Sequence, residues 1–261
     1  MPKISVLTVF KRVGGQKIAY RCLQNQSFED WEWVQVTPLT ATDLIEGKTK
    51  VVPDPPLNLG DVWGLNKAYN AGLKNCEGEL VVSIQDEVWF PPDGLEKFWF
   101  HYQEDKKGCV TGIGDKYARL DKFYKPEVKV WNDPRRGFQI VSYDETPQNN
   151  WELNYCSAPL QAFYDIGGFD ETFDQYYGWD NVDVSIRMKY FGYRFYMDKT
   201  NECRGLVQKL PVDWEEKNAY AGWNEPGDRK KESHFWKVRH ARVEGKYPYK
   251  LDYLKEVKLN G

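Results

Sequence analysis

Hydrophobic and polar positions along the chain alternate between two periods. ISVLTVF, residues 4–10, is rich in β-branched residues and predicts a buried strand, broken by KRVGG. Ile18, Ala19, Cys22 and Leu23 then recur at helical spacing, which predicts a helix over 16–24. WEWVQVTP predicts a second strand over 31–38, ended by proline, and KVVPDPP a short third one followed by a stiff loop. Asp61 is placed to cap a helix carrying Val62, Leu65, Ala68, Tyr69 and Leu73 and ending near Gly78. ELVVSI predicts a strand, DGLEKFWFHYQED a helix with Leu95, Phe98, Trp99 and Tyr102 on one side, and GCVTGIG a strand over 108–114. The stretch 117–150 is polar, with DPRRG and ETPQNN, and predicts an insertion, a flap or a short hairpin. Helical patterning returns over 159–166 and after Asp180, and the tail from Glu215 predicts loop plus one helix.

Strands alternating with helices predict an α/β fold: a mostly parallel central sheet with helices on both faces. Ligands of such sheets sit at the carboxyl ends of the strands. The fourth strand ends there in Gln85-Asp86-Glu87, an abrupt change from apolar to acidic. Two carboxylates at that position fit either a cation site or the first residues of a polar turn. Asp180 with Asp183 fits a capping box at the start of a helix whose buried stripe is Val184, Met188 and Phe191.

Composition narrows the function classes. With 36 basic and 39 acidic residues the formal net charge is −3, so there is no general attraction to nucleic acid or anionic lipid. The basic stretch DRKKESHFWKVRHARVEGK predicts a solvated helix face. The five cysteines, at 22, 76, 109, 156 and 203, are scattered and contain no CxxC, which points away from zinc sites and disulfide frameworks and toward a reduced compartment. No apolar stretch reaches the length of a membrane span. These features predict a cytoplasmic protein, free or peripheral at a membrane face. The 11 Trp, 17 Tyr and 13 Phe exceed what a core needs and suit flat amphipathic ligands such as sugars or bases. KRVGG after the first strand is not GxGxxG, and no GxSxG occurs, so dinucleotide-dependent dehydrogenases and α/β-hydrolases are excluded.

Several ordered motifs, ISVLTVFKR, CLQNQSFEDWEWVQV, NAGLKNCEGE, SIQDEV, GGFDE and GWDNVDVSIR, together resemble the GT-A-fold nucleotide-sugar glycosyltransferases of the family-2-like group. The resemblance runs from Ile4 to about Tyr196. It implies a single GT-A domain over 1–261, with a nucleotide-sugar-binding half over 1–115, an acceptor and catalytic half over 116–205 containing a smaller insertion, and a C-terminal helical tail over 206–261. It implies transfer of a sugar from a nucleotide-diphosphate donor to a hydroxyl acceptor, assisted by Mn2+ or Mg2+ held by Asp86 and Glu87. Asp180 is implied as the catalytic base, with Asp183 one helical turn on, and Asn70 as a residue near the diphosphate. Thr8 and Phe10 with the first strand, Lys11 and Arg12 after it, and Trp179 before the base complete the expected donor contacts; Trp179 is equally placed to stack on an acceptor sugar.

Departures from the family pattern are also present. Gln85 stands where the first acid is expected, Asn181 where the second acid of the base motif is expected, Tyr69 where an arginine opens the phosphate helix, and Thr37-Pro38 where two acids contact the nucleoside. His234 is the one nearby histidine downstream of the base motif. These leave open a catalytically impaired nucleotide-sugar-binding protein. The resemblance leans toward inversion, while DNVD is also similar to the ENxE of some retaining enzymes. A glycan, a lipid-linked sugar, a protein side chain or a modified nucleic-acid base remain as acceptors.

Overall fold

The computed structural model describes residues 1–10, 15–40, 43–59, 61, 64–86, 88–120, 126–139, 142–176, 178–206 and 228–255. β1 (Ile4–Val9), β2 (Trp31–Thr37), β3 (Thr49–Pro53) and β4 (Leu80–Ile84) pair in parallel in the order β3-β2-β1-β4. β9 (Tyr155–Pro159) runs antiparallel between β4 and β6 (Gly108–Leu120). Beyond β6 lie β10 (Arg194–Leu206), parallel to it, and the two-residue β5 (Val88–Trp89), antiparallel to β10. β7 (Pro126–Trp131) folds back on β6 as a hairpin, and β8 (Tyr143–Glu145) pairs with β10, completing a ten-stranded sheet. The expected mostly parallel sheet is present: β3, β2, β1, β4, β6 and β10 share one direction, with β9 reversed among them.

Strand alternation sorts the sheet residues into two cores. Leu7, Val9, Val34, Val36 and Val81 face one side and pack on α2 (Leu65–Leu73), α4 (Leu160–Asp165) and α5 (Asp180–Tyr190) through Ala68, Leu73, Phe163 and Met188. Ile4, Val6, Trp33, Val82 and Ile84 face the other and pack on α1 (Gly15–Gln24) and α3 (Gly94–Glu104) through Ile18, Leu23, Leu95 and Phe98. A strand buried on both faces is apolar at most successive positions, hence the near-continuous runs in β1 and β4, where the buried Ser5, Thr8 and Ser83 are hydrogen-bonded. A third, smaller cluster joins α6 (Asp228–Val243) to the α5 region through Phe235, Val238, Phe173, Trp179 and Val182.

The expected helix cap is corrected. α2 begins at Leu65, not Asp61, and its first N–H groups are not met by a local side chain. Asp174, in the turn Glu171–Gln175, supplies the carboxylate: Oδ1 accepts from Asn66 N–H (3.0 Å) and Oδ2 from Lys67 N–H (3.1 Å). Asp61 instead pairs with Lys67 and accepts from Asn58 N–H at 2.7 Å. Val62 lies outside the described residues.

Candidate active site

The apolar run of β4 ends at Ile84, and Gln85 extends the pairing with β9 by donating its N–H to the carbonyl of Asn154 (3.1 Å) before the chain turns. Asp86 follows on the turn, half-buried. The first residue of α1 approaches it closely, since a Cβ added at Gly15 would lie 2.7 Å from Asp86 Cβ. Glycine is needed there for contact, and the start of α1 therefore meets the acidic strand end.

Asp180 opens α5 on the opposite wall. The preceding residue, Trp179, is held at φ +70°, a conformation rare for a bulky side chain, and its ring stacks on Phe235 of α6 at 4.7 Å. The half-exposed Trp179 thus acts as N-cap without a side-chain hydrogen bond, so the expected capping box led by Asp180 is not formed. Asp180 is 8% exposed, and its Oδ2 is buried with no hydrogen-bond partner among the described residues. Burial pushes its carboxyl above the ordinary carboxylate value; the N–H groups of Asn181 and of Asp180 itself oppose the rise, and the charge of Asp183 adds to it.

Tyr69 connects the two walls. Its ring stacks on Phe169 (4.8 Å, 15°) and its hydroxyl lies 3.1 Å from Ser83 Oγ of β4. Burial raises the hydroxyl well above the usual phenol value, and the charges of Asp180 and Asp86 both raise it further. The fold thereby brings Asp86 and Asp180 to the same end of the sheet. Asp174 belongs to this neighbourhood: burial raises it to about 6 against the pull of its three donors, with Asp180 adding to the rise.

Asp183 has another occupation. Its carboxylate accepts from Arg187 Nε (2.8 Å) and is paired with Arg242 of α6, which also reaches Asp170 Oδ2 at 3.1 Å. Arg187 continues to the carbonyls of Ile166 (3.0 Å) and Gly168 (2.7 Å). Asp183 faces this buried network and ties α5 to the tail.

The structure also corrects three expected donor contacts. Thr8 and Phe10 are 0% exposed: Thr8 Oγ1 accepts from Trp33 Nε1 (3.3 Å) and Phe10 packs edge-on against the Trp33 ring. Even-numbered positions of β1 turn toward the α1–α3 core, out of reach of a ligand. Asn70 is buried and clasps GGFDE, donating through Nδ2 to the Phe169 carbonyl (3.0 Å) and Glu171 Oε1 (2.9 Å) and accepting the Phe169 N–H (2.8 Å). Lys11, Arg12 and Glu87 lie outside the described residues. His234 is half-buried, stacked on Tyr176 at 4.4 Å and 3.2 Å from Thr172 Oγ1; burial lowers its pKa. Sequence reasoning missed Tyr69 as a link and Asp174 as a remote cap. The position of Tyr69 on the apolar face of α2 was the available signal for the first; no local pattern announces the second.

The described part of the acidic strand end offers oxygen donors, the Asp86 carboxylate and the neutral Gln85 amide, which suit hard cations such as Mg2+ or Mn2+. Among the described residues no three His, Cys, Asp or Glu side chains gather into a metal cage.

Comparison with known proteins bears directly on this end of the sheet. The model for Glycosyl transferase family 2 matches residues 57–169, which carry α2, the acidic strand end, β9 and the Gly167-Gly168-Phe169 turn. The fold is GT-A, and residues 57–169 are similar to Glycosyl transferase family 2. A curated relative from Haemophilus influenzae, described as an uncharacterized glycosyltransferase, is 25% identical over 146 residues, 55% of this chain and 52% of that protein. A crystal structure of GalNAc-T7 with UDP, GalNAc and Mn2+ superposes with a TM-score of 0.62 at 12% identity, over 90% of this chain and 48% of that one. The GT-A chain thus spans about half the length of the relatives it matches. Among its described residues no helix is long and apolar enough to cross a membrane.

Proposed function

We propose that the protein transfers a sugar from a nucleotide-diphosphate donor to a hydroxyl acceptor, with Asp180 as the base. The observation carrying this reading is the buried Oδ2 of Asp180, which has no hydrogen-bond partner among the described residues and whose charge acts on Tyr69 together with that of Asp86. A carboxylate with a raised pKa and an uncommitted oxygen is suited to take a proton. In the step, Asp180 takes the acceptor hydroxyl proton as that oxygen bonds to the anomeric carbon. The glycosyl–phosphate bond breaks and its electron pair leaves on the nucleoside diphosphate. A single displacement of this kind inverts the anomeric centre. Asp86 and Glu87 are the residues assigned to hold a divalent cation, whose chemistry is to offset charge on the departing diphosphate. Lys11, Arg12 and one exposed side of Trp179 remain assigned to the donor.

Gln85 and Asn181 are the residues that favour a binding-only protein. Asp180 decides between the two readings. Donor hydrolysis and transfer are measured with and without Mn2+ for the native protein and Asp180→Ala, with calorimetry of nucleoside diphosphate binding on both. Binding retained with turnover lost is expected; full turnover by Asp180→Ala overturns the base assignment. Binding by the native protein without any turnover favours the binding-only reading.

A further inference from the structure

A second concavity, of about 400 Å³, opens beside the acidic strand end, between β5, β6, the β7 hairpin and the start of β9. It adjoins the site at two places. Asn154 on its wall accepts the Gln85 N–H, and the turn Gln148–Asn150, whose Asn150 also lines it, packs against α5, the helix that Asp180 opens. None of its side chains has been given a role above.

Its buried ions are already matched to one another. Arg135 Nε reaches both oxygens of Asp133 (2.9 and 3.0 Å), and its Nη1 donates to the Asn150 carbonyl at 2.8 Å. Asp115 accepts from Arg136 Nε (2.8 Å), Lys129 Nζ (3.2 Å) and the Asp133 N–H (3.0 Å). Asp115, Asp133 and Arg135 are each under a tenth exposed, so these pairs form a rigid, neutralised floor. A phosphorylated or polyanionic ligand gains little from ions committed to each other, because breaking a buried pair is costly.

What faces the opening is of another kind. Trp131 and Phe138 are 42% and 40% exposed on its rim; Lys116 Nζ lies over one face of the Trp131 ring, 5.3 Å from its centroid, and the other face is the one offered to a ligand. Among the described residues Glu152, its side chain 43% exposed, meets Arg135 Nη2 at 4.0 Å and accepts a long hydrogen bond from Asn154 Nδ2 at 3.4 Å. Aromatic walls with a few hydrogen-bonding groups over a neutral floor match a ring with an apolar C–H face and hydroxyls at its edge. The volume falls at the small end of the ~300–1,000 Å³ typical of ligand sites.

We infer that this cavity is the acceptor subsite and that it takes the uncharged pyranose end of a glycan, stacked on Trp131 with a hydroxyl donated to Glu152. The inference rests on the transferase reading above. Binding is measured by saturation-transfer NMR with methyl glucoside, methyl galactoside and methyl N-acetylglucosaminide, against glucose 6-phosphate and a single-stranded oligonucleotide. Trp131→Ala and Glu152→Gln are compared with the native protein, with thermal melting as a folding check and nucleoside diphosphate binding recorded on each sample. At least one methyl pyranoside is expected to bind, and to weaken about two- to tenfold in Trp131→Ala and about tenfold in Glu152→Gln, while nucleotide binding and melting stay unchanged. Equal pyranoside binding in both variants, or binding of the phosphate or oligonucleotide in place of the pyranosides, overturns the inference. Nucleotide binding with no pyranoside binding overturns it while leaving the transferase reading standing. Pyranoside binding without nucleotide binding removes the transferase reading and with it the assignment as an acceptor site.

Discussion

Asn66 delivers both its backbone N–H (3.0 Å) and its side-chain Nδ2 (2.9 Å) to a single oxygen of Asp174, a residue 108 positions later in the chain. This contact closes the amino end of α2 and places a second buried carboxylate near Asp180. Its folded pKa of about 6 exceeds the ordinary 3.8, so the native state binds this proton more tightly than the unfolded state. The associated stability is fully present below about pH 4 and is lost as pH rises to about 6, by at most ~3 kcal/mol. Asp174→Asn removes the titration. The stability gap between native protein and variant, from urea midpoints at pH 4, 5, 6 and 7, should narrow as pH rises; a gap that widens contradicts the burial argument.

Asp180 must be ionised to act as a base. Because burial raises its pKa, the acid limb of turnover should lie above the range of an ordinary carboxylate, with activity rising as pH rises through that limb. Asp180→Asn keeps the shape and should lower turnover by about 10²–10⁴ and abolish that limb. A kcat profile with the same limb in the variant would assign it to another group.

Arg242 is 4% exposed between Asp170 and Asp183. Arg242→Met leaves Asp170 without this ionic partner and Asp183 with Arg187 alone, and should cost about 3–5 kcal/mol. Adding Asp183→Asn should recover part of the loss, a coupling that a double-mutant cycle of urea midpoints reads directly.

Gly168 sits at φ +90°, and a Cβ there would come within 2.6 Å of Asn70 Oδ1. Gly168→Ala therefore meets both backbone strain and the Asn70 clasp, and should cost about 1–3 kcal/mol. In an Asn70→Ala background, which removes the obstructing amide, the same change should cost less. Equal costs in both backgrounds, measured by thermal melting, would show the clasp to be incidental.

The repeating apolar runs made the central strands and most helices legible, because burial on one or two faces leaves a periodic mark. β9 and β10 left weaker marks. β9 is five residues ending in proline, and β10 mixes charged residues with a register shift between Met197 and Glu202, so neither shows clean alternation. At the site, ordered motifs marked Asp86 and Asp180, the residues proposed for the cation and the base. Asn70, Thr8 and Phe10 occupied the right motifs but face inward, since a motif specifies position along an element and not the direction in which its side chain is satisfied. The remote cap from Asp174 was illegible for a simpler reason: its partners lie a hundred residues away.

The tail contributes more than a cover. Leu251 N–H bonds to the Ile166 carbonyl (2.9 Å), Tyr253 N–H to that of Gly167 (3.1 Å), and Arg242 holds the helix that Asp180 opens. A ribosome synthesising this chain finishes the sheet-forming stretches up to β10 well before it reaches these residues. The nascent protein can therefore own a nearly complete sheet and still lack the contacts that hold the helix of Asp180, the proposed base. Competence should arrive late and abruptly during synthesis, which would keep a half-made chain from acting on its substrates.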